Sequence, residues 1–400
     1  MPPSTSVEHL RRDAPEIRPL TGIRIVAALW VVFAHAGLWL PTLVPEVAVL
    51  DPLTRGGFAA VDLFFVLSGF ILSYQYFGRL RTPRDYRDFM VRRLARIYPL
   101  HLFMLLIFGG IVLVTSALAI PMGSAGQFTL GGFFSDLLLV RAWWGDALVW
   151  NIPAWSISAE WFAYILFPAL ALVAVWAAKR RFGLWGVCAA LLTVAGVSAA
   201  LWPSLNNMPV PTIRVAVGFL VGVCVQRLVR NARPSRLAAY LGLLSSGALV
   251  VVSGIGQDDP LVRGLQAGAI VALCGVTIAL LSIARGPAVA WLGSTVVEYG
   301  GRLAFSIYLV HLLGLMVVGQ VLTAERFGGE SLLVRLSLVM AALIVLFIVS
   351  AALHELIEKP GRRLVLRVAA KVLPSSGGHH GARRQPRKLS PSTPSLRSPR

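Results

Sequence analysis

The chain has 400 residues, of which 56% are hydrophobic and only 14% are charged. Soluble domains carry about 25% charged residues, so this composition excludes a water-soluble fold and favours a helical membrane bundle. The formal net charge is +19, but the basic residues lie between apolar segments, where they orient a membrane protein. No basic surface interleaved with aromatic residues accompanies them, so we expect no nucleic acid partner.

Apolar segments long enough to cross a bilayer recur along the whole chain. A spanning helix needs about 20 mostly apolar residues, and ten segments meet this requirement. We therefore predict an all-α, polytopic membrane bundle with spans at 22–40, 57–76, 97–118, 155–177, 184–201, 212–229, 237–254, 264–284, 303–322 and 333–357.

Three regions depart from this pattern. Residues 132–150 are apolar and aromatic but also hold Asp136, Arg141 and Asp146, which predicts a re-entrant or interfacial element covered by protein. The two ends of the chain are polar. We expect a cytoplasmic arm at 1–20, a transmembrane domain at 21–365, and a basic, Ser/Pro-rich, disordered cytoplasmic tail at 366–400.

The distribution of Lys and Arg predicts the orientation of the bundle. With ten spans, both termini and every second loop share one side of the membrane. Nearly all basic loop residues lie on that side, and the loops of the other side hold only Arg55, Arg141, Arg263 and Arg326. Because basic loops stay in the cytoplasm, both termini are predicted to be cytoplasmic.

The cysteines give no sign of a metal or redox site. Cys188, Cys224 and Cys274 all lie in apolar spans, and their number and spacing fit neither a disulfide framework nor a zinc site. We therefore predict no metal and no bound cofactor.

Ionisable side chains within the spans are the best indicators of a functional site, because a charge in lipid is unfavourable. His35, Asp62 and Glu160 each lie close to the outer end of a predicted span, which places them at similar depth. A carboxylate beside an imidazole fixes the tautomer of the ring and raises its basicity. The pattern predicts that His35 is a general base with Asp62 or Glu160 as its partner. A structural interpretation stands beside it, in which His35 is a satisfied core residue and Asp62 caps its helix.

Basic residues lie towards the other end of the same spans. Arg24 precedes His35 by a helical rise of roughly 16 Å, and both can line one interior face. Arg93 and Arg96 precede span 3. They serve either as anchors on the cytoplasmic side or as a phosphate-binding edge, and the pattern alone leaves both interpretations open.

Further polar and aromatic residues lie near these groups. Ser306, Tyr308 and His311 in span 9 either donate hydrogen bonds into a polar channel or join neighbouring helices. Tryptophans such as Trp155 near the outer interface are typical of a membrane-interface belt.

Short motifs containing these residues follow one another along the spans. They are the Arg24–His35 spacing, VDLFFVLSGF at 61–70 (with Asp62 and Ser68), RLARIYP at 93–99, NIPAWSISAE at 151–160 (with Trp155, Ser156 and Glu160), SIYLVH at 306–311 and EKP at 358–360. In this order they resemble the motifs of the membrane-bound acyltransferase-3 family. Ala60 departs from the family pattern, which often has glycine before the Val-Asp pair.

This resemblance implies a bacterial inner-membrane O-acyltransferase. Such an enzyme takes acetyl or another short acyl group from cytoplasmic acyl-CoA to a hydroxyl of a carbohydrate or glycolipid. His35 would be the catalytic base, and Arg24, Arg93 and Arg96 would support the donor. We also expect substrate contacts from Ser68, Trp155, Ser156, Ser306, Tyr308 and His311.

Two other functions stay open at this point. A secondary transporter would also bury charged residues, although the sequence lacks the paired repeats that are common in transporters. An acyltransferase for a small metabolite such as a macrolide would share every motif above.

Overall fold

The computed structural model describes residues 15–120, 128–143, 150–202, 210–256 and 258–373. Within these ranges the chain is helical and forms no β-strand. Ten helices are long and apolar enough to cross a membrane, which confirms the predicted all-α polytopic bundle. They are α1 (Arg18–Ala36), α2 (Ala59–Tyr76), α3 (Pro83–Ala117), α4 (Ala154–Ala178), α5 (Gly183–Leu201), α6 (Val210–Val229), α7 (Arg236–Gly254), α8 (Pro260–Ser282), α9 (Thr295–Val321) and α10 (Leu332–Leu353).

α3 begins well before the span predicted at 97–118, because a capping box starts it. Thr82 Oγ1 accepts a hydrogen bond from the Asp85 N–H at 3.1 Å, and the Asp85 carboxylate accepts one from the Thr82 N–H at 2.9 Å. Pro83 occupies the first helical position, where its missing N–H leaves no bond unmade. The hydropathy pattern had marked only the apolar part of this helix.

The last span also continues beyond its predicted end at 357. α10 passes through a π-helical turn, His354–Glu358, into α11 (Lys359–Val372). The predicted domain boundary at 365 therefore falls inside a helix, as does the boundary at 20, which lies within α1. Most of the predicted tail (374–400) and of the predicted arm (1–14) lies outside the described residues.

A short helix, Leu130–Leu137, occupies part of the segment predicted to be re-entrant or interfacial. Eight residues are too few to span a bilayer. The Asp136 carbonyl accepts a hydrogen bond from His101 Nε2 in α3 at 2.8 Å. This contact joins the end of the short helix to the apolar part of α3, and the re-entrant or interfacial placement stays a prediction. Residues 144–149 of the segment lie outside the described residues.

α2 and α6 approach each other through glycines. Gly69 of α2 faces the backbone carbonyl of Phe219, and Gly222 of α6 faces that of Val66. A Cβ atom at either glycine would overlap the opposing oxygen. Small residues allow helices in membranes to pack at close range, and here they bring the polar residues of α2 beside α6.

Short helices cover the end of the bundle where α1 finishes. They are Leu40–Leu43, Pro45–Leu50 and Asp51–Gly56. Arg335 of α10 ties this cover to the bundle, because Nη2 pairs with Glu46 at 2.7 Å and Nη1 donates to the Leu43 carbonyl at 2.9 Å.

Candidate active site

A cavity lies between α1, α2, α3, α4 and α9 and contains about 870 Å³ of empty space, including that at its mouth. Much of its wall is apolar, with side chains such as Phe64, Phe65 and Phe305. More than half of the predicted site residues line this cavity: Arg24, Ser68, Arg93, Arg96, Ser156, Glu160 and Tyr308. The other predicted site residues are not among those that line it: His35, Asp62, Trp155, Ser306 and His311.

Three arginines give the cavity a strongly basic wall. Arg93 Nη2 donates to the Tyr76 hydroxyl at 3.1 Å, and its guanidinium lies 5.3 Å from the Tyr76 ring centroid. Arg24 and Arg96 make no hydrogen bond and no ion pair within 4 Å to any residue that the structure describes. Guanidinium groups in such a setting are suited to an anionic ligand.

Glu160 supplies a carboxylate to the same cavity, but its hydrogen bonds differ from those predicted. The Ser68 hydroxyl donates to Glu160 Oε1 at 2.6 Å, and the Tyr164 hydroxyl donates to the same atom at 2.5 Å. The described residues show no hydrogen bond between Glu160 and His35. The expectation that Glu160 orients His35 is therefore wrong, because this carboxylate accepts its hydrogen bonds at Oε1 from hydroxyls of α2 and α4 and not from the imidazole.

Ser156 and Tyr308 join α4 to α9 at the cavity wall. Their hydroxyl oxygens lie 2.7 Å apart, and Ser156 Oγ also donates to the Pro153 carbonyl at 3.0 Å. Because a carbonyl can only accept, the single hydroxyl proton of Ser156 is used in the bond to Pro153. The Tyr308 hydroxyl is therefore the donor in its hydrogen bond with Ser156. The lone pairs of the phenol remain available on the cavity side.

His35 pairs with His311 one helical turn beyond Tyr308. The Val31 carbonyl lies 2.9 Å from His35 Nδ1, and the Tyr308 carbonyl lies 2.6 Å from His311 Nδ1. Both Nδ1 atoms therefore carry the proton in the neutral rings. His311 Nε2 lies 3.3 Å from His35 Nδ1 and accepts a share of that proton. This arrangement leaves the lone pair of His35 on Nε2, as a general base requires.

Asp62 does not contact His35 either, which corrects the second predicted partner. Arg214 of α6 binds both oxygens of Asp62, with Nε–Oδ1 at 2.5 Å and Nη2–Oδ2 at 2.7 Å. The depth argument predicted a similar level for Asp62 and His35 along the bundle axis. It could not give the direction of the side chain around α2, which points to α6.

Two other predicted residues have structural partners. Ser306 donates to Glu358 Oε2 at 2.8 Å, and His354 Nδ1 lies 2.8 Å from the same oxygen. Ser306 thus joins α9 to the π-helical turn rather than facing the cavity. Trp155 packs on Phe65, with ring centroids 6.1 Å apart, and lies under the Arg214 guanidinium at 5.8 Å.

Three residues that bind predicted site residues were not predicted from the sequence. They are Arg214, which binds Asp62; Tyr164, which binds Glu160; and Glu358, which binds Ser306. Arg214 did carry a signal, since it is a cation within an apolar span, and such cations need a partner. Glu358 lies four residues after His354, a spacing that places two side chains on one helix face. Tyr164 carried no signal that separated it from the other aromatic residues of α4.

The sequence profile of the acyltransferase-3 family, described as an acyltransferase domain, matches residues 18–355. The chain belongs to this family. The match begins at the first residue of α1 and ends within the π-helical turn, so it includes the whole ten-helix bundle. Membership makes the chain a multi-pass membrane acyltransferase that transfers groups other than aminoacyl groups.

Several acyltransferases are similar to this family member. Acyltransferase MdmB of Streptomyces mycarofaciens is 29% identical over 374 residues, covering 87% of this chain and 92% of the relative. Putative membrane-bound transacylase BcsY of Komagataeibacter xylinus is 24% identical, covering 86% and 82%. Putative peptidoglycan O-acetyltransferase YrhL of Bacillus subtilis is 27% identical, covering 47% of this chain and 29% of the relative. No solved structure matches the acyltransferase.

Proposed function

We propose that this acyltransferase moves acetyl or another short acyl group from cytoplasmic acyl-CoA to a hydroxyl of a carbohydrate or glycosylated acceptor. The observation that carries the donor assignment is the basic cavity wall. The cavity is lined by Arg24, Arg93 and Arg96 and by one carboxylate, that of Glu160, so the wall holds an excess of positive charge. Coenzyme A brings several phosphates, whose oxygens match the fork of an arginine.

The depth of the arginines supports entry of the donor from the cytoplasm. Arg24 lies in the second turn of α1, and Arg93 contacts Tyr76 at the last residue of α2. The loop charges predict that both positions lie at cytoplasmic helix ends, which in the proposed enzyme belong to a bacterial inner membrane. The nucleotide end of acyl-CoA would bind Arg93 and Arg96, with the pantetheine arm passing Arg24 into the bundle.

His35 would act as the general base. Its Nε2 lone pair removes the proton of the acceptor hydroxyl, and the oxygen attacks the thioester carbonyl carbon. The new C–O bond forms as the C–S bond breaks, and the thiolate of coenzyme A takes a proton from the imidazolium. No net proton is gained or lost. Tyr308 and Ser156 line the cavity, and the Tyr308 carbonyl contacts His311, so this region would have to admit the thioester.

The acceptor assignment draws on the relatives. YrhL bears the name putative peptidoglycan O-acetyltransferase, and the glycan strands of peptidoglycan are carbohydrate polymers. The similarity to YrhL extends over about half of this chain, which is consistent with a related acceptor. A small diffusible acceptor such as a macrolide is the alternative.

The test is acyl transfer by the full chain purified into nanodiscs. Acetyl-CoA is supplied with peptidoglycan fragments, lipid-linked oligosaccharide or a macrolide, and thiol release and acetylated product are measured by absorbance and mass spectrometry. We expect transfer to a carbohydrate hydroxyl. Transfer to the macrolide alone would establish the alternative, and no transfer from acyl-CoA to any acceptor would refute the donor assignment.

A further inference from the structure

Arg214 makes a contact beyond its ion pair with Asp62. Its Nη2 atom also donates to the backbone carbonyl of Phe58 at 2.9 Å. Phe58 is the residue immediately before α2. A single guanidinium on α6 therefore binds both the first turn of α2 and the residue that leads into it.

The Phe58 side chain contacts the imidazole of His35. The two ring centroids lie 5.3 Å apart, and the ring planes meet at 77°. The neighbouring backbone is held against α1, because a Cβ at Gly57 would overlap the Trp30 carbonyl and the Ala34 side chain. The turn before α2 thus connects the Arg214 guanidinium with the His35 ring.

The ion pair by itself does not explain this arrangement. Only 15% of the Arg214 side chain and 10% of the Asp62 side chain are exposed, and buried ion pairs are weak contributors to stability because both charges lose hydration. An arginine can bind a carboxylate with two nitrogens and still direct an N–H to a third acceptor. A lysine ammonium would keep the charge pair but could not reproduce the fixed fork.

We propose that Arg214 is a positioning residue for His35, acting through Phe58. Asp62 orients the guanidinium, the guanidinium fixes the Phe58 carbonyl, and the Phe58 ring limits rotation of the imidazole. His35 Nδ1 then stays on the Val31 carbonyl, and Nε2 keeps its lone pair directed away from it. The inference rests on the proposed role of His35 as the base and adds the residues that hold it.

The first test replaces Arg214 with lysine. In Arg214→Lys we expect unchanged membrane abundance, an unchanged KM for acetyl-CoA, and a kcat reduced about tenfold by a misaligned base. The matched control is Arg335→Lys, which also keeps an ion pair, with Glu46, and also loses a backbone contact, with Leu43. This control lies beside the short helices that cover the end of the bundle, and it should keep the wild-type kcat.

A double-mutant cycle tests the route through Phe58. If Arg214 acts through this ring, Phe58→Ala should lower kcat similarly, and the double variant should be no slower than the worse single variant. Losses that multiply in the double variant would overturn the route. A wild-type kcat in Arg214→Lys, or an effect confined to KM, would overturn the positioning role.

A measurement without acceptor separates this inference from the proposed function. Diethyl pyrocarbonate modifies neutral imidazole, and mass spectrometry of the full chain in nanodiscs gives the rate at His35. We expect this rate to rise severalfold in Arg214→Lys, with His101 as the unchanged internal reference. An unchanged rate at His35 would refute the positioning role even if wild-type transfer is observed. If the wild type transfers no acyl group, the proposed function fails, and the modification rate still decides whether Arg214 holds the ring.

Discussion

Two parts of the site differ in how some of their arginines are bound: the cavity wall, which we call the cavity half, and the surroundings of His35, which we call the histidine half. In the cavity, Arg24 and Arg96 have no hydrogen bond to the described protein, whereas beside His35 the Arg214 guanidinium is bound by Asp62 and Phe58. Cations without protein partners suit a ligand that brings its own charge and then leaves. Groups bound by the protein suit a reactive side chain that must keep one orientation. Under the proposed function, donor binding and base positioning would therefore belong to separate parts of the bundle.

The largest effect is expected from replacing His35 in the histidine half. His35→Ala should reduce acyl transfer by about 10²–10⁴-fold, because a positioned general base contributes a factor of this size. Product is measured by mass spectrometry at matched membrane abundance. His101→Gln is the control, since His101 is also a buried imidazole bonded to a backbone carbonyl. Undiminished transfer in His35→Ala would end the assignment of the base.

The next largest effect is expected from replacing an arginine in the cavity half. Arg24→Met or Arg96→Met should raise the KM for acetyl-CoA by about 10–100-fold, the range expected for loss of a charge-assisted hydrogen bond. The KM for the acceptor should change far less. Arg263→Met removes a cation outside the cavity, one that donates to the Ala199 carbonyl, and should leave both values unchanged. A larger effect on the acceptor than on the donor would refute the donor cavity.

A substitution at the contact between α2 and α6 tests how much this close packing contributes to the stability of the bundle. Gly69→Ala should destabilise the bundle by about 1–3 kcal/mol, because the new methyl group meets the Phe219 carbonyl. Thermal unfolding in detergent measures the change. Gly110→Ala, at a position with no atom within 4 Å of the added Cβ, is the control. Equal stability of the two variants would show that the contact tolerates more space than the structure indicates.

The smallest expected effect concerns Glu160. Glu160→Gln removes the negative charge that opposes three arginines, so the KM for acetyl-CoA should fall about 2–5-fold, a modest change because solvent screens the cavity. Glu298→Gln is the control, because Glu298 pairs with Arg302 outside the cavity wall. A shifted pH–kcat profile with an unchanged KM would instead indicate that Glu160 influences His35 and not the donor.

Much of the fold followed from local properties of the sequence. Apolar length predicted ten spans, and the described part of the chain contains ten helices of that kind. The ordered motifs predicted the family, and the family profile confirms it. Boundaries were less accurate where polar residues continue a helix, as at Thr82–Pro83 and at the π-helical turn, because hydropathy does not record capping or helix continuation.

Several of the predicted site residues line one cavity, but their predicted pairings differ from those in the structure. Depth along a helix can be counted from the sequence, so a common level for His35, Asp62 and Glu160 could be predicted. The partner of each side chain depends on rotation about the helix axis and on which helices are neighbours. In the structure Asp62 binds Arg214, and Glu160 accepts hydrogen bonds from Ser68 and Tyr164.

The sequence by itself determined that this chain crosses a membrane many times and belongs to an acyltransferase family, because apolar length and ordered motifs are local properties. Only the tertiary structure decided that His35 pairs with another histidine and that Arg214 reaches the turn beside it. The physical reason is that hydrogen-bond partners must approach within about 3 Å. Contacts across 152 or 276 residues of chain are fixed by how the helices pack against one another.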